Sequence, residues 1–141
     1  MMRTNILILV SLLLTFSCNQ EIKLDENVIE MYNDGSPKIV EMYQQKKGER
    51  IKKYYKEFYE NGKIKIEGAI KNDKREGIWT YFYENGNIWS VGNYVDGKAQ
   101  GKFTQYYENG KLWAYTFYKD DIKEKDIFFD NNGKVLSENK Y

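Results

Sequence analysis

Tyr59-Glu60-Asn61-Gly62 recurs as Tyr83-Glu84-Asn85-Gly86 and again as Tyr107-Glu108-Asn109-Gly110, at a spacing of 24 residues both times and with aromatic residues ahead of each copy. Self-similarity at a fixed period marks a repeat protein, in which each unit is one supersecondary element that cannot bury its apolar face alone. Asn-Gly is the pair that most readily takes the two positive-φ positions of a type I′ turn, and such turns join antiparallel strands. With Asn61-Gly62 at the tip, Glu60 pairs with Lys63 and Tyr59 with Ile64. The next copies pair Tyr83 with Ile88 and Tyr107 with Leu112. The polar stretches 71–77 and 95–101 between the copies carry the opposite turn of a continuous meander, so one repeat is two strands and two turns.

Weaker copies flank the clear ones at Tyr32-Asn33-Asp34-Gly35 and Asp130-Asn131-Asn132-Gly133. Degenerate ends of this kind cap solenoids. No helical apolar period is present from residue 31 onward, and the single proline, Pro37, suits an edge strand. The expected fold is all-β: an elongated single-layer antiparallel meander of repeated hairpins, roughly ten short strands long by this segmentation.

The first 18 residues differ in kind. Arg3 precedes an apolar run from Ile6 to Leu14, and Thr15-Phe16-Ser17-Cys18 follows. The run is about half the roughly 20 residues needed to cross a bilayer, which favours a cleaved export signal over a permanent span. The segment resembles a bacterial lipoprotein signal, although Thr15 stands where that pattern prefers leucine. The resemblance implies that the chain's one cysteine, Cys18, receives the lipid; a plain signal peptide cut nearby is the alternative. The expected division is 1–17 signal peptide, 18–30 lipidated N-terminus and polar tether, and 31–141 repeat domain.

Removal of residues 1–17 deletes one charge, Arg3, and leaves 21 basic against 21 acidic residues. A neutral chain lacks the long-range attraction on which non-specific nucleic-acid binding depends, so no nucleic-acid partner is expected. The inventory for chemistry is thin. There is no histidine, and a lone cysteine spent on lipid rules out thiol catalysis, Cys/His zinc sites and His-based triads. The glycines sit at turn spacings and form no phosphate loop. Glu60, Glu84 and Glu108 repeat beside the turns, a structural pattern. Asp120, Asp121, Glu124 and Asp126 interleave with lysines and read as a solvated loop, with a weak calcium site as the alternative. No enzyme activity, cofactor or metal is expected, and the molecule is read as a monomer.

Alternation from each turn assigns residues to two faces. The first carries Tyr55, Tyr59, Ile64, Ile66 and Gly68, then Trp79, Tyr83, Ile88 and Gly92, then Phe103, Tyr107 and Leu112, and is the core face. It sets Tyr55 opposite Gly68 and Trp79 opposite Gly92, where a ring lies over bare backbone. The second face carries Lys56, Phe58, Lys63, Lys65 and Glu67 in the first clear repeat. Aromatic residues follow: Phe82 and Trp89 with Val91, then Tyr106, Trp113, Tyr115 and Phe117. A contiguous exposed aromatic stripe marks a binding surface. Phe82, Trp89, Tyr106, Trp113, Tyr115 and Phe117 are therefore the candidate partner-binding residues, with burial by the segment 128–141 as the alternative. The basic stretch 46–56 is expected to guard an edge strand; gripping phosphates or anionic headgroups is the other reading.

Gly77-Ile78-Trp79 through Phe82-Tyr83-Glu84-Asn85-Gly86, then Gly92, Tyr94 and Asp96-Gly97-Lys98 with Gly101, resembles the MORN repeat in its bacterial variant form. The likeness covers about residues 31–141. It implies consecutive hairpins in one sheet that serves as a protein or lipid interaction surface without catalysis. Bacterial members of this group are commonly labelled antitoxins. Three functions follow, in order of expectation: a membrane-tethered interaction lipoprotein of the cell envelope with an unidentified protein partner, an antitoxin-like protein neutralising a cognate toxin, and a glycan-binding surface protein.

Overall fold

The computed structural model describes residues 23–141. These form ten strands: β1 (Leu24–Met31), β2 (Pro37–Lys46), β3 (Glu49–Phe58), β4 (Ile64–Lys71), β5 (Lys74–Phe82), β6 (Ile88–Val95), β7 (Lys98–Tyr106), β8 (Leu112–Lys119), β9 (Ile122–Phe129) and β10 (Val135–Lys140). Each pairs antiparallel with its sequence neighbours in one open sheet. At strand spacings of about 4.8 Å the sheet is roughly 43 Å wide. The first strand, Leu24–Met31, takes in residues 24–30 of the expected tether. Pro37 opens the second strand opposite Met31, where the first residue of a strand tolerates a missing N–H. The basic stretch 46–56 is likewise not at an edge, because β3 lies between β2 and β4.

The two sets of turns differ, and the difference reverses the turn assignment made from Asn-Gly. At one end of the strands, Gly62, Gly86 and Gly110 have φ of 78°, 92° and 81°, but the asparagines before them do not take positive φ. Gly62 N–H donates to Tyr59 O at 2.9 Å and Tyr59 N–H to Lys63 O at 2.8 Å, so the loop is a type I turn closed by a left-handed glycine. Asparagine serves this turn through its side chain. Asn61 Oδ1 accepts from Lys63 N–H at 3.0 Å while its amide Nδ2 donates to Glu84 O of the next repeat, also at 3.0 Å. The type I′ turns lie at the other end, where both central residues have positive φ: Lys47-Gly48, Asn72-Asp73, Asp96-Gly97 and Asp120-Asp121.

The three-residue loop shifts the pairing by one. Phe58, Phe82 and Tyr106 stand opposite Ile64, Ile88 and Leu112, and one extra residue follows in each second strand before regular pairing resumes at Ile66, Ser90 and Ala114. Those extra residues are Lys65, Trp89 and Trp113. Bulges of this kind disturb strict alternation.

One face holds most of the core; Val40, 6% exposed, is buried on the other, beside Lys56. Rings step across the first face from Tyr55 to Trp79 (5.9 Å between centroids, stacked), to Tyr94 (6.2 Å), to Phe103 (5.5 Å) and to Tyr118 (5.0 Å). Trp79 is only 1% exposed. Its pairing with Gly92 is as expected, but its ring lies over the glycine on its other side: a Cβ on Gly68 would stand 2.4 Å from the indole. Phe103 covers Gly92 in the same way, at 2.1 Å. In each case two residues are looped out just ahead of the ring, beginning at a left-handed glycine, Gly77 or Gly101. Lys125 occupies the corresponding place in β9. There the loop-out shrinks to one residue and Asp126 enters the row opposite Thr116.

Tyrosines tie one repeat to the next. Tyr32, Tyr59, Tyr83 and Tyr107 donate their hydroxyls to the carbonyls of Phe58, Phe82, Tyr106 and Phe129 at 2.7, 2.6, 2.9 and 3.0 Å. This ladder supplies the repeat-to-repeat contacts that a single layer needs.

Candidate interaction surface

The six aromatic residues assigned to one stripe divide between the two faces. Trp89 meets Tyr81 edge-on at 5.8 Å, and Tyr81 shares the face of Trp79, its hydroxyl 2.8 Å from that of Tyr94. Trp113 packs between Tyr107 (6.3 Å) and Phe128 (5.9 Å), and Phe128 pairs with the buried Ala114. Both tryptophans thus stand on the core side, as does Lys65, which ion-pairs with Glu57 at 2.7 Å. The bulge is the reason: each is the extra residue that breaks alternation. By the same shift Ile64, Ile88 and Leu112, expected in the core, move to the second face opposite Phe58, Phe82 and Tyr106.

Phe82, Tyr106, Tyr115 and Phe117 remain on the second face, all half-buried. Tyr115 sits between Thr104 and Ile127, with the Phe129 ring edge-on at 5.2 Å and Lys102 Nζ 4.4 Å from its ring centre. Phe117 lies between Lys102 and Lys125, whose Nζ is 5.9 Å from its ring. Toward β1 the face opens into a depression of about 290 Å³ lined by Val28, Pro37, Val40, Lys56 and Phe58. The described residues form one sheet and supply no second layer over it. The surface is apolar along its middle, with lysines standing over two of its rings.

Sequence reasoning missed Arg75. Its guanidinium lies 4.4 Å from the Trp79 ring centre and donates to Tyr81 Oη at 2.8 Å, closing the core face where no second layer does. Burial, and then the hydrogen bond with Tyr94, push the Tyr81 hydroxyl well above the ordinary tyrosine range. The stretch 46–56 also contributes to this side: Lys52 bridges Glu41 at 2.8 Å and Arg50 lies over Tyr43 at 4.2 Å.

The acidic group 120–126 serves the chain itself. Asp121 Oδ1 accepts from Ala99 N–H at 2.7 Å, Asp120 Oδ1 accepts from Gln100 Nε2, and Asp126 accepts from Lys123 and Tyr141. Glu60, Glu84 and Glu108 are exposed. Among the described residues no group of three or more metal-ligating side chains converges, and no helix is long and apolar enough to cross a membrane. Cys18 and the expected signal lie outside the described residues.

Ten strands joined only to their neighbours, with a 24-residue period through the three central copies and bonds from repeat to repeat, define an all-β repeat scaffold. The model of the MORN repeat variant matches residues 53–72, 75–96 and 99–120, the three hairpins β3–β4, β5–β6 and β7–β8. The chain thus carries three MORN repeat variants, which suggest a repeat-based binding module. No curated protein matches the chain in sequence.

Proposed function

We propose that this protein is a non-catalytic interaction module, tethered to a membrane of the cell envelope through lipid on Cys18 and presenting the second face of its sheet to a protein partner. The single observation behind this reading is the uncovered row Phe82, Tyr106, Tyr115 and Phe117 on a sheet whose buried rings, Trp79 and Phe103, face the other way. Half-buried aromatics on a rigid surface are the groups that carry interface energy. An export signal of the kind read at residues 1–18 favours an envelope partner over a cytoplasmic toxin, which ranks antitoxin activity second. Sugar binding ranks third, since Trp89, an exposed tryptophan at 40%, stands apart from this row on the core side.

Membrane fractionation combined with capture from envelope extract tests both halves of the proposal. Cys18→Ala should leave the membrane fraction or accumulate uncleaved, and Tyr115→Ala should lose a partner that the wild type enriches while remaining folded. A Cys18→Ala protein unchanged in mass and membrane association would remove the tether. Equal enrichment by Tyr115→Ala and wild type would remove the surface.

A further inference from the structure

We propose that copies of this chain join edge to edge, β10 of one adding antiparallel to β1 of the next. The sheet is open, and no described strand pairs with the outer side of β1 or of β10. An edge with unpaired N–H and C=O groups is a template for another strand, and solenoids ordinarily close such ends with polar caps. Here the ends are where apolar surface is exposed. Of the twelve large apolar side chains that stand exposed among the described residues, four belong to β1, and Val135, Leu136 and Tyr141 lie in or directly after β10.

Charge selects which edges meet. β1 carries Asp25, Glu26 and Glu30 and no base. Glu30 is engaged by Lys38 within its own hairpin, while Asp25 and Glu26 make no ion pair among the described residues. In β10, Glu138 is held by Lys125 at 2.7 Å, and Lys140 makes no ion pair among the described residues. Pairing β1 with a second β1 crowds carboxylates together; pairing it with β10 sets acid against base.

Register follows from the sheet itself. One row of cross-strand partners runs through all ten strands, from Val28 by way of Thr80 and Tyr115 to Glu138. Because the strand number is even, a copy added by translation presents β1 antiparallel to β10 with the same face up. Continuing the row sets the next copy's Val28 opposite Glu138, Asn27 opposite Asn139 and Glu26 opposite Lys140. The contact is heterologous, so it propagates into a chain of copies and does not close as a pair.

Sedimentation velocity across a concentration series tests this on the protein as expressed, with wild type, Glu26→Lys, Lys140→Glu and the double exchange. The expected result is a wild-type species that grows with concentration, monomer for each single reversal, and restored growth for the double. Circular dichroism melts matching wild type establish that the variants are folded. A wild type that stays monomeric at every concentration overturns the proposal. So does association that both single reversals retain, or a double exchange that restores nothing. Association lost on Lys140→Glu but indifferent to Glu26→Lys assigns the contact to β10 with itself, and also overturns it. None of these results depends on Cys18 or on the aromatic row Phe82, Tyr106, Tyr115 and Phe117.

Discussion

Gly68 shows how much a single residue decides when a sheet has only one layer. The Trp79 indole lies flat on its backbone, held from the other sides by Tyr55, Arg75 and a bond from Nε1 to Ala69 O at 3.1 Å. A methyl group there meets the ring at 2.4 Å, with rigid ring atoms and no flexible chain end to give way. Gly68→Ala should therefore cost about 1–3 kcal/mol, as overpacking does. Gly62→Ala, at φ 78° with open space around it, should cost only about 1 kcal/mol for the backbone. Urea denaturation of the two variants checks the order, and equal losses would deny the ring its place. At the far end of the same row, Asp126 is buried. Burial alone would raise its pKa, but hydrogen bonds from Lys123, Thr116 and Tyr141 outweigh it and hold the carboxyl below its ordinary 3.8. A lowered native pKa gives stability that is complete above the ordinary value and lost as pH falls through the native one. Thermal melts should thus show wild type losing stability below about pH 4 more steeply than Asp126→Asn. Parallel curves would mean the carboxylate contributes nothing.

At the scale of the hairpin, the two turn types are assigned by which residue carries the strain. Asn72-Asp73 forms a type I′ turn with both residues at positive φ, 51° and 59°, although the second place suits glycine best. Asp73→Gly should raise stability by a few tenths of a kcal/mol to about 1 kcal/mol, since the Asp73 carboxylate is exposed and its ion pair with Lys52 is long, at 3.7 Å. A fall in melting temperature would contradict the turn geometry. Much of this level was legible in the sequence. The 24-residue period gave the hairpins, and alternation placed Tyr55 beside Gly68 and Trp79 beside Gly92. Turn type was not legible, because Asn-Gly puts glycine at positive φ in either turn. What separates them is the asparagine, fixed by a bond from Asn61 to Glu84 of the next repeat. The faces of Trp89 and Trp113 were hidden for the same reason, since each follows a three-residue loop whose bulge restarts the count. A sequence clue exists in the small or short residues Ser90 and Ala114 directly after them, both buried and 24 apart.

The whole molecule is an asymmetric sheet: one face is closed by rings, glycine and Arg75, and the other carries aromatics with nothing described above them. Burial on the first face supplies the fold, and the tyrosine ladder makes the repeats cooperate across it. The second face is then available to a partner. Thermal and urea melts of Trp79→Ala beside Phe82→Ala test this division most directly, because the two residues lie three apart on one strand and face opposite ways. The expected result is a loss of about 3–5 kcal/mol for Trp79→Ala, as for other buried aromatics, and less than half of that for Phe82→Ala with cooperative unfolding retained. Equal, large losses from both would make the second face another core and contradict its assignment as the surface offered for binding.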